Sequence, residues 1–93
     1  MDRTLIERLR GSRWIVTGAT GLIGSCLVDF LQEQNRLQSA DISVTCAVRN
    51  IAKAEAMFGK AGDGISYYEY DFSSDEPFCP PYEADYLVHL ASP

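Results

Sequence analysis

The sequence predicts an α/β chain with a parallel sheet of four strands, in spatial order 3-2-1-4, and flanking helices. Three observations predict it. Short apolar segments alternate with helical ones along the chain. The apolar segments are nearly continuous, as in strands covered on both faces. A glycine-rich segment joins the first strand to the helix after it.

Each element has a local cause. Thr4-Leu5-Ile6-Glu7 fits a capping box, with Thr4 as N-cap, and Gly11 stops this short first helix. Trp14-Ile15-Val16-Thr17 is apolar, too short for a helix and followed by glycines, so it reads as a buried strand. A helix is expected from about Leu22 to Gln34, with Ile23, Leu27, Phe30 and Leu31 on its apolar stripe. Ile42, Val44, Cys46 and Val48 alternate with Ser43, Thr45 and Ala47 and mark a second strand. Asn50 can N-cap a helix over Ile51–Phe58, which Gly59 ends. Ile65–Tyr70 is rich in β-formers and gives a third strand. Pro77, Pro80 and Pro81 leave little room for another helix, and Tyr86–Ala91 gives a fourth strand.

Composition narrows the function classes. The 93 residues suffice for one small domain, and 46% are apolar. Net charge is −5 with no run of Lys or Arg, which argues against nucleic acid or an anionic membrane as partner. A phosphate ligand stays open, because backbone N–H groups can hold it. No signal peptide and no membrane span is expected. Cys26, Cys46 and Cys79 form no CxxC pair, which speaks against a zinc ribbon or a redox dithiol, and no metal site is expected. Cys26 and Cys46 read as small core residues, and three free thiols fit a reducing cytoplasm.

The chemistry sits in Thr17-Gly18-Ala19-Thr20-Gly21-Leu22-Ile23-Gly24. Lying between a strand and a helix, these glycines have separate tasks. Gly18 permits a tight turn, Gly21 lets backbone approach a pyrophosphate, and Gly24 lets the helix pack closely on the strand. The N–H groups and positive dipole end of the helix then face the phosphates. This is the phosphate loop of a partial Rossmann fold, with a dinucleotide as partner. At the carboxyl end of the second strand stands Arg49, whose guanidinium suits a 2′-phosphate and favours NADP over NAD. Asp41 has the spacing of a ribose-binding acid but precedes its strand, at the wrong end of the sheet.

The GxxGxxG spacing, with Arg49-Asn50, Asp71-Phe72 and His89-Leu90-Ala91-Ser92-Pro93, resembles the extended branch of the short-chain dehydrogenase/reductase superfamily. That branch includes nucleotide-sugar epimerases, dehydratases and decarboxylases. The resemblance covers nearly all of the chain from Trp14 onward. It implies cofactor contacts at Gly18, Ala19, Thr20, Gly21, Leu22, Ile23, Gly24 and Arg49. It further implies that Asp71 and Phe72 meet the adenine edge, and that Leu90, Ala91 and Ser92 run beside the ribose and nicotinamide. His89 reads as a structural histidine rather than an acid or base.

The superfamily transfers protons with Tyr-x-x-x-Lys. Here Tyr67, Tyr68, Tyr70, Tyr82 and Tyr86 are followed four residues later by Asp71, Phe72, Ser74, Tyr86 and Leu90, so no residue is assigned a catalytic role. The expectation is that residues 1–93 are the N-terminal part of an NAD(P)-binding domain, inactive alone. The catalytic pair and substrate domain of a nucleotide-sugar epimerase/dehydratase-like oxidoreductase would lie beyond Pro93. The alternatives are an NADP-dependent reductase of a small carbonyl compound and a non-catalytic dinucleotide-sensing module. The uncharged fourth strand, an edge in this order, is expected to promote self-association.

Overall fold

The computed structural model describes residues 3–62, 64–71, 77 and 82–90, with the backbone alone at 3, 5 and 6. The elements in chain order are α1 (Arg3–Leu9), β1 (Arg13–Thr17), α2 (Leu22–Gln38), β2 (Ser43–Val48), α3 (Ile51–Phe58), β3 (Ile65–Glu69) and β4 (Tyr86–His89). The four strands form one sheet in the order β3-β2-β1-β4, and every pairing is parallel. Thr17 stands opposite Ala47 on one side and His89 on the other, while Val48 stands opposite Glu69. The carboxyl ends of all four strands therefore lie along one rim.

The alternation of side chains divides the sheet into two unlike faces. Val16, Val44, Cys46, Val48 and Ile65 point to the face that also buries Val28 and Leu31 of α2 and Ala54 of α3. Both crossover helices thus lie on one side, as right-handed connections stepping in one direction require. Trp14 extends this face toward β4, where its ring packs on Tyr86 at 4.5 Å between centroids.

The opposite face is more polar. It carries the buried Ile15, Thr17, Thr45 and Ala47. The Thr45 hydroxyl bonds to Ser66 Oγ at 2.8 Å and donates to the Tyr82 hydroxyl at 2.7 Å. Tyr82 in turn donates to the Trp14 carbonyl at 2.8 Å, which pins the entry of β4 across this face. Asp85 completes the fastening by accepting from Arg13 N–H at 2.8 Å.

Several boundaries differ from those expected. Helix α1 begins at Arg3, so Thr4 lies inside it rather than at its cap. Helix α2 runs to Gln38, four residues past Gln34, and ends at Ser39 in the left-handed conformation with φ 49°. Arg10 supports that longer end by donating to the carbonyls of Ser39 at 3.0 Å and Gln38 at 3.4 Å, where a cation complements the helix dipole. Ile42 is buried but precedes β2, because its backbone bonds to a side chain instead of a strand. Asn35 Nδ2 donates to Ile42 O at 2.7 Å, and Asn35 Oδ1 accepts from Ile42 N–H at 2.6 Å. Gly64 leaves room for this staple, since a Cβ there would lie 2.6 Å from Asn35 Nδ2.

The stripe of α2 is rotated from the expected one. Gly24, Val28, Leu31 and Gln34 are buried, Leu27 is half-buried, and Ile23 and Phe30 are exposed. Cys26 is exposed as well, against the expectation of a core residue, whereas Cys46 is buried as expected. The cause is Gly24. It must face the strand, and that fixes the helix phase for every residue after it.

Candidate dinucleotide site

The glycine loop leaves β1 at the carboxyl rim and turns at once into α2. Gly18 has φ 69°, a conformation that side-chain-bearing residues rarely adopt. Gly21 N–H donates to Gly18 O at 3.0 Å and closes the turn. Ala19 is fully buried beneath it and Thr20 is half-buried. Gly24 rests on the turn itself, where an added Cβ would come within 2.1 Å of Gly18 O and 2.9 Å of Ala19 Cα.

Gly21 is different. Its φ of −75° suits any residue, and an added Cβ would approach Gly18 O only to 3.3 Å. The fold thus requires glycine at positions 18 and 24 and makes only a mild demand at 21. Absence of a side chain at Gly21 keeps the approach to the helix start open. This position is the N-cap of α2, yet no side chain caps the helix. Ser25 turns its hydroxyl back to Leu22 O at 3.0 Å rather than toward the helix end. Leu22, 84% exposed, and Ile23, 70% exposed, flank the opening.

Beside this loop, Arg49 follows the last residue of β2 and is exposed. Neighbouring strands lie roughly 4.8 Å apart, so Arg49 stands one strand from the start of the loop. Asn50 caps α3, its side chain accepting from Lys53 N–H at 3.1 Å, which fixes where the chain turns after Arg49. On the next strand, Tyr70 N–H bonds to Val48 O at 2.9 Å, so Asp71, also exposed, falls level with the Arg49-Asn50 turn. Leu90 lies on the other side of the loop, next to Thr17. The fold thus brings Gly18 to Gly24, Arg49, Asp71 and Leu90 to one rim of the sheet. Phe72, Ala91 and Ser92 lie outside the described residues.

One residue of this rim carries more than the sequence reading gave it. Thr17 is wholly buried, and its hydroxyl meets both Leu90 N–H and His89 Nδ1 at 2.9 Å. The signal was its place before Gly18, but only the strand order shows what lies beside it. His89 is exposed at the end of an edge strand.

The described rim thus offers a helix start that no side chain caps, flanked by Leu22 and Ile23, with the exposed guanidinium of Arg49 one strand away. Among the described residues no group of His, Cys, Asp or Glu is placed to hold a metal ion, and no helix is long and apolar enough to cross a membrane. A shallow depression lined by Asp29, Gln32, Glu33, Asn35 and Arg36 lies further along α2 and has no part in this rim. No protein-family model, curated protein or solved structure matches the chain.

Proposed function

We propose that this chain binds a nicotinamide dinucleotide at the carboxyl rim of its sheet, as the front part of a Rossmann-type domain of the extended short-chain dehydrogenase/reductase superfamily. The observation that carries the proposal is the glycine at position 21. It caps a helix that no side chain caps, and its own backbone angles do not require glycine. Room for a pyrophosphate accounts for it.

In this reading the loop from Gly18 to Gly24 holds the pyrophosphate with backbone N–H groups. Arg49 pairs with the 2′-phosphate of NADP, Asp71 accepts from the adenine amine, and Leu90 lines the path toward the nicotinamide. The cofactor, when bound, supplies hydride transfer. The chain's own residues bind and orient. No tyrosine in the sequence has lysine four positions later, so binding without turnover is expected of these 93 residues.

A parent enzyme acting on a nucleotide-linked sugar is the activity that the sequence resemblance supports. An NADP-dependent reductase of a small carbonyl compound is the second reading, favoured by Arg49 at the rim. A sensing module that binds the dinucleotide without chemistry is the reading from a different class.

Calorimetric titration of the chain with NADP+ and NAD+ tests the proposal. Binding of either should be abolished or weakened at least about tenfold by Gly21→Ala, whose methyl group would stand where the pyrophosphate approaches. Binding that Gly21→Ala leaves unchanged, with the fold intact by circular dichroism, would place the ligand elsewhere.

A further inference from the structure

We infer that Tyr70 is a cofactor-binding residue that the glycine motif does not assign, the aromatic plate on which the adenine base stacks; this rests on the dinucleotide reading above. Tyr70 follows Glu69, the last residue of β3, and its N–H bonds to Val48 O at 2.9 Å. That bond carries the β2–β3 ladder one step past its last register pair, Val48 opposite Glu69. Tyr70 therefore stands beside Arg49 and immediately before Asp71. Alternation fixes its face. Tyr67 packs against the core, so Tyr68 and Tyr70 stand on the face opposite α2 and α3. The row next to them on β2 is small there, with Ala47 opposite Tyr68 and Thr45 opposite Ser66.

The rings of Tyr68 and Tyr70 are nearly parallel, with 21° between their planes and centroids 6.5 Å apart. Both are half-buried. Each ring limits the tilt of the other, so the plate is formed before a ligand arrives. Arg49 and Asp71 decide what lies over it. A nucleotide with its 2′-phosphate at Arg49 and its base amine at Asp71 spans the ends of β2 and β3, and Tyr70 is the side chain between those two anchors. The anchors recognise a phosphate and an amine, but neither recognises the flat face of the base. A tyrosine ring does, because its π-system stacks on any planar heterocycle.

The test titrates the 93-residue chain with 2′,5′-ADP, which carries the adenosine half alone, and follows the adenine H2 and H8 resonances by NMR. A ring stacked on the base should move both upfield, and the Tyr70 ring protons should show nuclear Overhauser contacts to H2 or H8. Tyr70→Leu, apolar but without a π-face, should abolish the upfield shift and weaken both 2′,5′-ADP and NADP+ about tenfold by calorimetry. Tyr70→Phe should keep the shift and bind within about twofold of the wild type. A purely structural ring would show no Overhauser contact whatever the loss of affinity, and that result overturns the inference. So does a Tyr70→Leu chain that keeps shift and affinity, or a Tyr70→Phe chain that loses both. The contacts are read in the wild-type chain and decide the matter if Tyr70→Leu does not fold. Wild-type binding that Gly21→Ala weakens, but that shows no contact with Tyr70, defeats this inference and spares the dinucleotide reading. A wild-type chain that binds neither compound defeats both.

Discussion

At the scale of single residues, the glycine loop separates what folding requires from what binding would require. Gly24→Ala places a methyl carbon 2.1 Å from Gly18 O, so strand and helix must move apart. Destabilisation of about 1–3 kcal/mol, the usual cost of overpacking, should appear in urea unfolding. Gly21→Ala should cost less than Gly24→Ala on the same measure, because the φ is ordinary and the tight 3.3 Å contact with Gly18 O asks for a far smaller adjustment. Equal losses would mean that both glycines serve the fold. The motif already assigned Gly24 to helix packing and Gly21 to the approach of a pyrophosphate, and the contact of Gly24 with Gly18 bears out the first of these. Arg49 gives a residue-scale prediction of another kind. Arg49→Ala should erase a preference for NADP over NAD of on the order of 1.5–3 kcal/mol while leaving urea stability unchanged, since the side chain is exposed. Equal affinities of the wild-type chain for the two cofactors would remove Arg49 from the site.

At the scale of elements, legibility followed how local the cause was. Helix α3 was readable to the residue, because Asn50 caps it through a bond three residues away and Gly59 ends it. The far end of α2 was not, because Arg10 stabilises it from a distant part of the chain and Asn35 does so through a side-chain bond to Ile42 beyond the helix. Its buried stripe was not readable either. Apolar residues occur on two sides of α2, and only the contact of Gly24 with Gly18 selects one. The pairing of β2 with β3 gives a consequence of burial. Cys46 lies in the core opposite Tyr67, and burial raises its thiol from 9.0 to about 12. Burial also raises the Tyr67 hydroxyl, with Cys46 and Glu55 adding to the effect. The native state therefore holds these protons more tightly than the unfolded chain does. For Cys46 that contribution is complete below pH 9.0 and is lost as pH rises toward 12. Thermal unfolding should consequently show a steep alkaline loss of stability that Cys46→Ala reduces. An alkaline profile unchanged by Cys46→Ala would assign the loss elsewhere. Alkylation at pH 8 followed by peptide mapping should label exposed Cys26 well before Cys46.

At the scale of the whole molecule, strand order follows from alternating elements and right-handed crossovers, and the order in turn creates the edges. Strand β4 pairs with β1 on one side only. Its other side has no strand beside it among the described residues, and it carries Leu87, which is 58% exposed, and the exposed ring of Tyr86. The stretch from Tyr86 to Leu90 contains no carboxylate, lysine, arginine or proline, the usual means of discouraging edge pairing. Strand β3 is the opposite edge and carries Glu69, and its Tyr67 hydroxyl is tied back to Gly59 O. Self-association through β4 is therefore the expected behaviour of the 93-residue chain. The alternation of the sheet also chooses the variant. Val88 shares a face with Trp14 and Val16, so a lysine there would disturb packing. Leu87 points to the other face and is open. Leu87→Lys should keep the circular dichroism and thermal midpoint of the wild-type chain while lowering the mass seen by light scattering across a concentration series. A wild-type chain that stays monomeric at the highest concentrations would show that this edge does not pair. A variant that associates as strongly as the wild type would move the contact to another surface, with the exposed Ile23, Phe30 and Leu37 of α2 the next to be substituted.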